Sequence, residues 1–222
     1  MEITKTKILG SNYVGLFGIC NDTICFLPEQ TDKKTEDTIA KTLDVKTIKI
    51  SLYQSSLLAV FAKINNKYAY IPSFASPKEI EKIEKEIKTK IINTENALGN
   101  LIEINDTGAI ISKTMNKKTV EEIKKSGLQT EQTNIGKTEV VGSAIIATKK
   151  AFLINPNATN EEINKVQKTL GVKGGSSTAN FGDPFVRNSI LANTKGIVIG
   201  EATTPHEINR IEEALSVEQK NN

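Results

Sequence analysis

The chain has 222 residues and a formal net charge of +3, with 38% hydrophobic and 25% charged residues. That balance suits a soluble globular protein and neither demands nor excludes nucleic acid, since attraction to phosphate usually needs a denser basic patch. No run of about 18 apolar residues exists to span a membrane, and Met1-Glu2-Ile3-Thr4-Lys5 lacks the basic-then-apolar layout of a signal peptide.

The first predicted element is the alternating strand Ile3–Ile8. A hairpin follows, turning at Asn21-Asp22 and ending on the apolar residue Leu27. Asp32 then opens an amphipathic helix with Ile39 and Leu43 on its apolar face, and Asp44–Ile50 reads as a further strand. The second hairpin turns at Asn65-Asn66-Lys67 and ends at Ile71. Ser76-Pro77-Lys78-Glu79 opens the next helix, with Ile80, Ile83 and Ile87 as its apolar positions.

Later hairpins turn at Asp106-Thr107-Gly108, Lys149-Lys150 and Lys195-Gly196. These turn residues tolerate the positive φ of tight hairpins. The hairpins end at Ile111, Ile154 and Ile199, so the five end residues step by 44, 40, 43 and 45 positions. In every copy an apolar helix residue lies 12 positions beyond the strand end: Ile39, Ile83, Ile123, Val166 and Ile211. Self-similarity at this period marks repeated supersecondary units.

The capping register agrees. Five positions after the strand ends stand Asp32, Ser76, Asn116, Thr159 and Thr204, all suited to accept a free helix N–H. Glu79, Glu162 and Glu207 complete three capping boxes. Leu43, Ile87, Leu170 and Leu215 continue the apolar face by one turn, whereas Gly127 stops the third helix near Lys125-Ser126.

The segments after the later helices are more polar: "INTENALG", "TEQTNIGKTEVVG" and "KGGSSTANFG". They read as strands facing a crowded central axis or, alternatively, as plain loops. The fifth copy has no such segment, and Ile3–Ile8 belongs to no copy, so the N-terminal strand is expected to pair into the fifth unit and close a ring without exposed sheet edges. The expected domain is a single one over residues 1–222, with units at about 12–55, 56–95, 96–138, 139–183 and 184–222 and a closing strand at 2–9. The fold class is α/β, a five-fold propeller.

Signals for chemistry are weak. His206, the only histidine, falls in the first turn of the fifth helix beside Glu207 and reads as an exposed residue. Cys20 and Cys25 lie in apolar strand context with no local arginine, and read as core residues in a reducing cytoplasm. "LGVKGGSST" places its lysine before the glycines, unlike a phosphate-binding loop. No cofactor or metal is expected. Eleven residues before the strand ends stand Leu16, Val60, Asn100, Ser143 and Asn188. Each is expected to begin the first hairpin strand, and a ring would gather them on one face suited to a large partner.

The segments "SNYVGLF", "ENALGNLIEINDTGAII", "VVGSAI" and "STANFG" resemble the translation initiation factor six family, ribosome anti-association factors, in archaeal form and essentially end to end. The length, without the eukaryotic C-terminal tail, fits archaeal members. The resemblance implies the pentein fold and no catalysis. It also implies binding to the large ribosomal subunit near ribosomal protein L14 and the sarcin–ricin loop of rRNA, blocking the small subunit. A cytoplasmic monomer active in initiation or ribosome biogenesis is expected, with Asn100, Ser143, Asn188 and Asn12 as contact residues. Val60 stands where the family often carries arginine. Some penteins modify guanidino groups with a Cys, a His and acidic residues on the axis, and this is the alternative reading; the cysteines and His206 are expected off the axis here.

Overall fold

The structure, a computed structural model, describes residues 1–216. Residues 217–222, the expected end of the fifth unit, lie outside the described residues. Strand β1 (Glu2–Thr6) comes first. Four units then repeat the order helical turn, strand, strand, outer helix, strand. They are α1 (Val14–Phe17), β2 (Ile19–Cys20), β3 (Ile24–Pro28), α2 (Lys33–Leu43) and β4 (Lys46–Ile50); α3 (Leu58–Phe61), β5 (Lys63–Ile64), β6 (Ala69–Pro72), α4 (Pro77–Glu84) and β7 (Thr89–Ile92); α5 (Leu98–Leu101), β8 (Ile102–Ile104), β9 (Gly108–Ile111), α6 (Lys117–Lys124) and β10 (Gln129–Gln132); and α7 (Val141–Ala144), β11 (Ile145–Ala147), β12 (Ala151–Ile154), α8 (Asn160–Leu170) and β13 (Lys173–Ser176). The fifth begins with a 3-10 turn, Val186–Ser189, and continues through β14 (Ile190–Ala192), β15 (Gly196–Gly200) and α9 (Pro205–Leu215).

Each unit contributes one three-stranded sheet, an antiparallel hairpin followed by a parallel third strand. The fifth sheet takes its third strand from the N-terminus: β1 runs parallel to β15 with Glu2 opposite Gly196 and Thr6 opposite Gly200. The expected ring closure is therefore present, and the molecule is a five-fold pseudosymmetric α/β propeller of pentein type. All five predicted caps accept from the third helical N–H, and the three predicted capping boxes form.

The core is divided among the unit junctions. Each cluster packs a unit's hairpin and outer helix against the preceding unit's sheet. The expected residue pairs fall one to a cluster: Leu27 with Ile39, Ile71 with Ile83, Ile111 with Ile123, Ile154 with Val166, and Ile199 with Ile211. All ten are essentially inaccessible. Burying such a side chain stabilises by about 1.5–3 kcal/mol, so a 12-residue spacing repeated five times writes the ring into the sequence.

Four expectations are corrected. The third strands do not face the axis. They form the outer edge of each sheet, with half-exposed patterns that account for their polarity, and they leave five sheet edges rather than none. The second of them starts at Thr89, earlier than "INTENALG" suggested. Helix α4 ends at Glu84, so Ile87 packs on the core from the turn beyond it. The hairpin turns do not use positive φ; those values occur at helix ends and in loops before the helical turns, such as Leu9-Gly10 and Tyr53-Gln54.

Candidate functional site

The inner strands β2, β5, β8, β11 and β14 contact one another in succession around the axis. The helical turns precede these strands and the hairpin turns follow them, so the two kinds of turn mark opposite ends of the ring.

At the first end, α1, α3, α5, α7 and the 3-10 turn pack side by side in a closed ring. Leu16, Val60, Asn100, Ser143 and Asn188 are each the third residue of one of these turns, not the start of a strand. The short segment between loop and strand satisfies its carbonyls by turning once, so the register read from the sequence lands one element earlier. Clustering follows all the same: Ser143 Oγ donates to Asn100 Oδ1 at 3.3 Å. Asn100 and Asn188 are half-buried and Ser143 is nearly enclosed.

The glycines before Asn100 and Ser143 have a steric cause. A Cβ on Gly99 would lie 1.9 Å from the Ala59 carbonyl oxygen, and one on Gly142 would lie 2.1 Å from that of Gly99. Neighbouring turns touch backbone to backbone, which only a missing side chain permits. The signal was legible in "YVG", "ALG" and "VVG" but takes its meaning only from the ring.

Asn12 lies outside the ring of turns, in the loop entering α1. Its carbonyl accepts from Asn180 Nδ2 at 2.9 Å, while its own Oδ1 is buried without a partner. Thus "SNYVGLF" meets "STANFG". The Glu207 carboxylate organises the latter loop, accepting from Thr178 Oγ, the Phe181 and Gly182 N–H groups and the Thr204 cap. Burial would raise its pKa, but the hydrogen bonds from Thr204, Thr178 and Gly182 outweigh burial and hold it below the usual carboxylate value. The loops before the helical turns also expose Leu9, Tyr53 and, at 83%, Phe181, which sequence reasoning missed.

At the opposite end, six residues before the strand ends, Asn21, Asn65, Asn105, Thr148 and Asn193 each accept their own hairpin's N–H groups through the side-chain oxygen. The asparagines also donate to a neighbouring unit: Asn193 to the Asn21 carbonyl, Asn21 to that of Asn65, Asn65 to that of Asn105 and Asn105 to that of Thr148. These side-chain turns replace the positive-φ turns that were expected.

Between the two ends, Lys63, Glu103, Arg187 and Cys20 line a small axial cavity. Lys63 Nζ donates to Glu103 Oε2 and to the Gly142 carbonyl, and Glu103 Oε1 accepts from Ala147 N–H. Burial lowers the Lys63 pKa to about 8 despite the opposing pull of Glu103. Arg187 donates to the carbonyls of Gly15, Gly18 and Ile190. The expectation that both cysteines lie off the axis is wrong for Cys20, because β2 is an inner strand. His206 is exposed on the outer helix α9, so the one imidazole does not accompany the axial thiol. Among the described residues, no His, Cys, Asp and Glu group is arranged to hold a metal, and no helix is long and apolar enough to cross a membrane.

These features define a pentein propeller in which the helical turns carrying Asn100, Ser143 and Asn188 form one closed ring. The eIF-6 family profile matches residues 3–214, and the chain belongs to that family. It is 34% identical over 185 residues to translation initiation factor 6 of Thermoplasma acidophilum, covering 83% of this chain and 86% of that one. The corresponding factor of Pyrococcus horikoshii is 34% identical over 195 residues, with 84% and 86% covered, and that of Thermococcus onnurineus is 35% identical over 198, with 84% and 86% covered. These names support a role in translation initiation. A crystal structure of a dimethylarginine dimethylaminohydrolase in adduct with S-methyl-L-thiocitrulline superposes with a TM-score of 0.47 at 10% identity, over 92% of this chain and 73% of that one.

Proposed function

We propose that this chain is a non-enzymatic, single-domain cytoplasmic factor that binds the large ribosomal subunit as a monomer and keeps the small subunit from joining by steric exclusion, in initiation or in ribosome biogenesis. The docking region is the vicinity of ribosomal protein L14 and the sarcin–ricin loop. The observation carrying the proposal is the ring of helical turns, in which Asn100 and Ser143 meet on one annular face. A rigid face with short polar side chains can hydrogen-bond a partner without ordering long side chains. Asn188 shares that face, and Asn12 supports it through its loop. The guanidino-modifying alternative requires an imidazole near Cys20, and the only histidine is on an outer helix.

The test is co-sedimentation with purified large and small subunits at fixed salt, since rRNA phosphate contributes a screened attraction. Asn100→Ala should weaken large-subunit binding by about 1–2 kcal/mol, roughly five- to thirty-fold. Lys78→Ala and Lys85→Ala, on or beside α4, should bind as the parent does. Binding lost in the lysine variants but intact in Asn100→Ala would put the docking face on the wrong side. Turnover of arginine or a methylated arginine, abolished by Cys20→Ser, would move the assignment to the enzyme.

A further inference from the structure

The first hairpin places its two cysteines opposite each other: Cys20 on β2 pairs with Cys25 on β3. Asn21, the next residue, donates its N–H to the Ile24 carbonyl at 3.0 Å, which makes Asn21–Ile24 the hydrogen-bonded pair closing the hairpin. Alternation along an antiparallel ladder then makes Cys20–Cys25 a non-hydrogen-bonded pair, where facing Cα atoms are about 4.5 Å apart and side chains are closest. That spacing lies within the range of about 4.4–6.8 Å that a disulfide spans.

The two sulfurs have unlike surroundings. Cys20 is partly exposed, lines the axial cavity and also lines the axial opening at the hairpin end. Its thiol donates to the Ala192 carbonyl at 3.4 Å. Cys25 is fully enclosed in the apolar cluster between the fifth and first units. The charged groups lining the cavity and the opening beside the axial sulfur are Arg187, Lys63 and Lys149 on the positive side and Glu103, Asp22 and Asp106 on the negative side. The hydrogen bond from Cys25 and then the Arg187 charge outweigh burial and Asp22 and lower the Cys20 pKa, whereas that same bond and burial raise the Cys25 pKa well above the ordinary thiol value. A partly exposed thiol of lowered pKa beside an enclosed thiol of raised pKa is the arrangement of an attacking and a resolving cysteine.

We propose that Cys20 is a peroxide-reactive thiol and that Cys25 resolves it into a reversible cross-strand disulfide. The Cys20 thiolate attacks one oxygen of a hydroperoxide. The O–O bond breaks, sulfur is oxidised to the sulfenic acid, and the other oxygen leaves as hydroxide or alkoxide and takes up a proton. The Cys25 sulfur then attacks the Cys20 sulfur, the S–O bond breaks, and hydroxide departs as water with the Cys25 proton. Two thiols and one hydroperoxide give one disulfide, water, and a second water or an alcohol.

The experiment treats the folded full-length protein with hydrogen peroxide and follows intact mass, alkylation and oligomeric state. The parent should lose the mass of two hydrogen atoms, remain uncrosslinked between chains, and yield a peptide carrying both cysteines that resists alkylation until dithiothreitol is added. Cys25→Ser should stop at a Cys20 sulfenic acid that dimedone traps, and Cys20→Ser should give neither product. In the unoxidised parent, alkylation of Cys20 by iodoacetamide, assigned by fragment-ion mass, should rise with pH to a midpoint below that of a free thiol, and Cys25→Ala, which removes the largest lowering cause, should move that midpoint up. Absence of the mass loss, disulfides joining two chains, or first oxidation at Cys25 would each overturn the proposal. Because the parent's peptide map decides the pairing, a variant that fails to fold does not leave the question open.

Discussion

Deletion of residues 1–9 probes the closure of the ring most directly. The deletion removes β1 from its five-residue parallel register on β15. It also removes the Lys5 ammonium from the Thr203 carbonyl at 2.8 Å and the Thr4 hydroxyl that accepts from Thr42 at 2.9 Å. Ile8, fully enclosed in the junction of the fifth and first units, goes with it, as does Ile3, packed on the neighbouring cluster. Truncating a fully buried isoleucine to alanine typically costs about 2–5 kcal/mol. Each ladder hydrogen bond adds about 1 kcal/mol net. Several such bonds plus Ile8 reach or exceed half of the roughly 5–15 kcal/mol that holds a domain together. The truncated protein should therefore lose cooperative unfolding or aggregate through the uncovered β15, while Ile8→Ala alone should unfold cooperatively at lower denaturant. Urea titration followed by circular dichroism, with size-exclusion chromatography, reads both, and a synthetic peptide of residues 1–9 should restore part of the transition. A truncated monomer with the parent's midpoint would refute closure by β1 as a stabilising element.

Gly99→Ala should fold poorly or bind ribosomal subunits weakly, because its Cβ would sit 1.9 Å from a carbonyl oxygen of the adjacent turn; a variant matching the parent in melting and sedimentation would show that the turns part easily. Glu103→Gln leaves Lys63 and Arg187 enclosed without a countercharge and should cost about 3–5 kcal/mol in urea titrations; a loss below about 1 kcal/mol would mean that water already compensates the axial charges. With the Lys63 pKa lowered to about 8, the unfolded chain holds a proton that the folded one sheds between that value and the ordinary lysine value, so the parent should gain stability as pH rises through this window. For Glu207, whose folded pKa is depressed, the contribution is present above the unfolded carboxylate pKa and lost as pH falls through the folded one. Thermal melts of Glu207→Gln should accordingly show a shallower acid decline than the parent; parallel declines would clear Glu207 of that role.

The local periodicities of this sequence determined a great deal. A helix cap speaks through its own side chain, and an apolar face repeats every turn, so Ser76, Glu79, Ile83 and their counterparts declared the five helices and the partner strands ending at Leu27, Ile71, Ile111, Ile154 and Ile199. The orphan strand at the N-terminus and the missing strand at the other end together implied closure, and β1 on β15 fulfils it. The same repeat gathered Asn100, Ser143 and Asn188 on one face although it misjudged the element that carries them. Placement across the ring was not legible. Polarity alone could not separate a wet axis from an exposed outer edge, and only the sheet order sets the third strands outside. The asparagines six residues before the strand ends were visible as letters, but their donation to the next unit requires knowing which unit is next. Arg187 reaches the first unit from the fifth and alters the charge around Cys20, a contact between residues remote in sequence. Side-chain periodicity records what each segment buries. Which distant segment it meets is decided when the chain closes on itself, because closure alone brings the first and fifth units together.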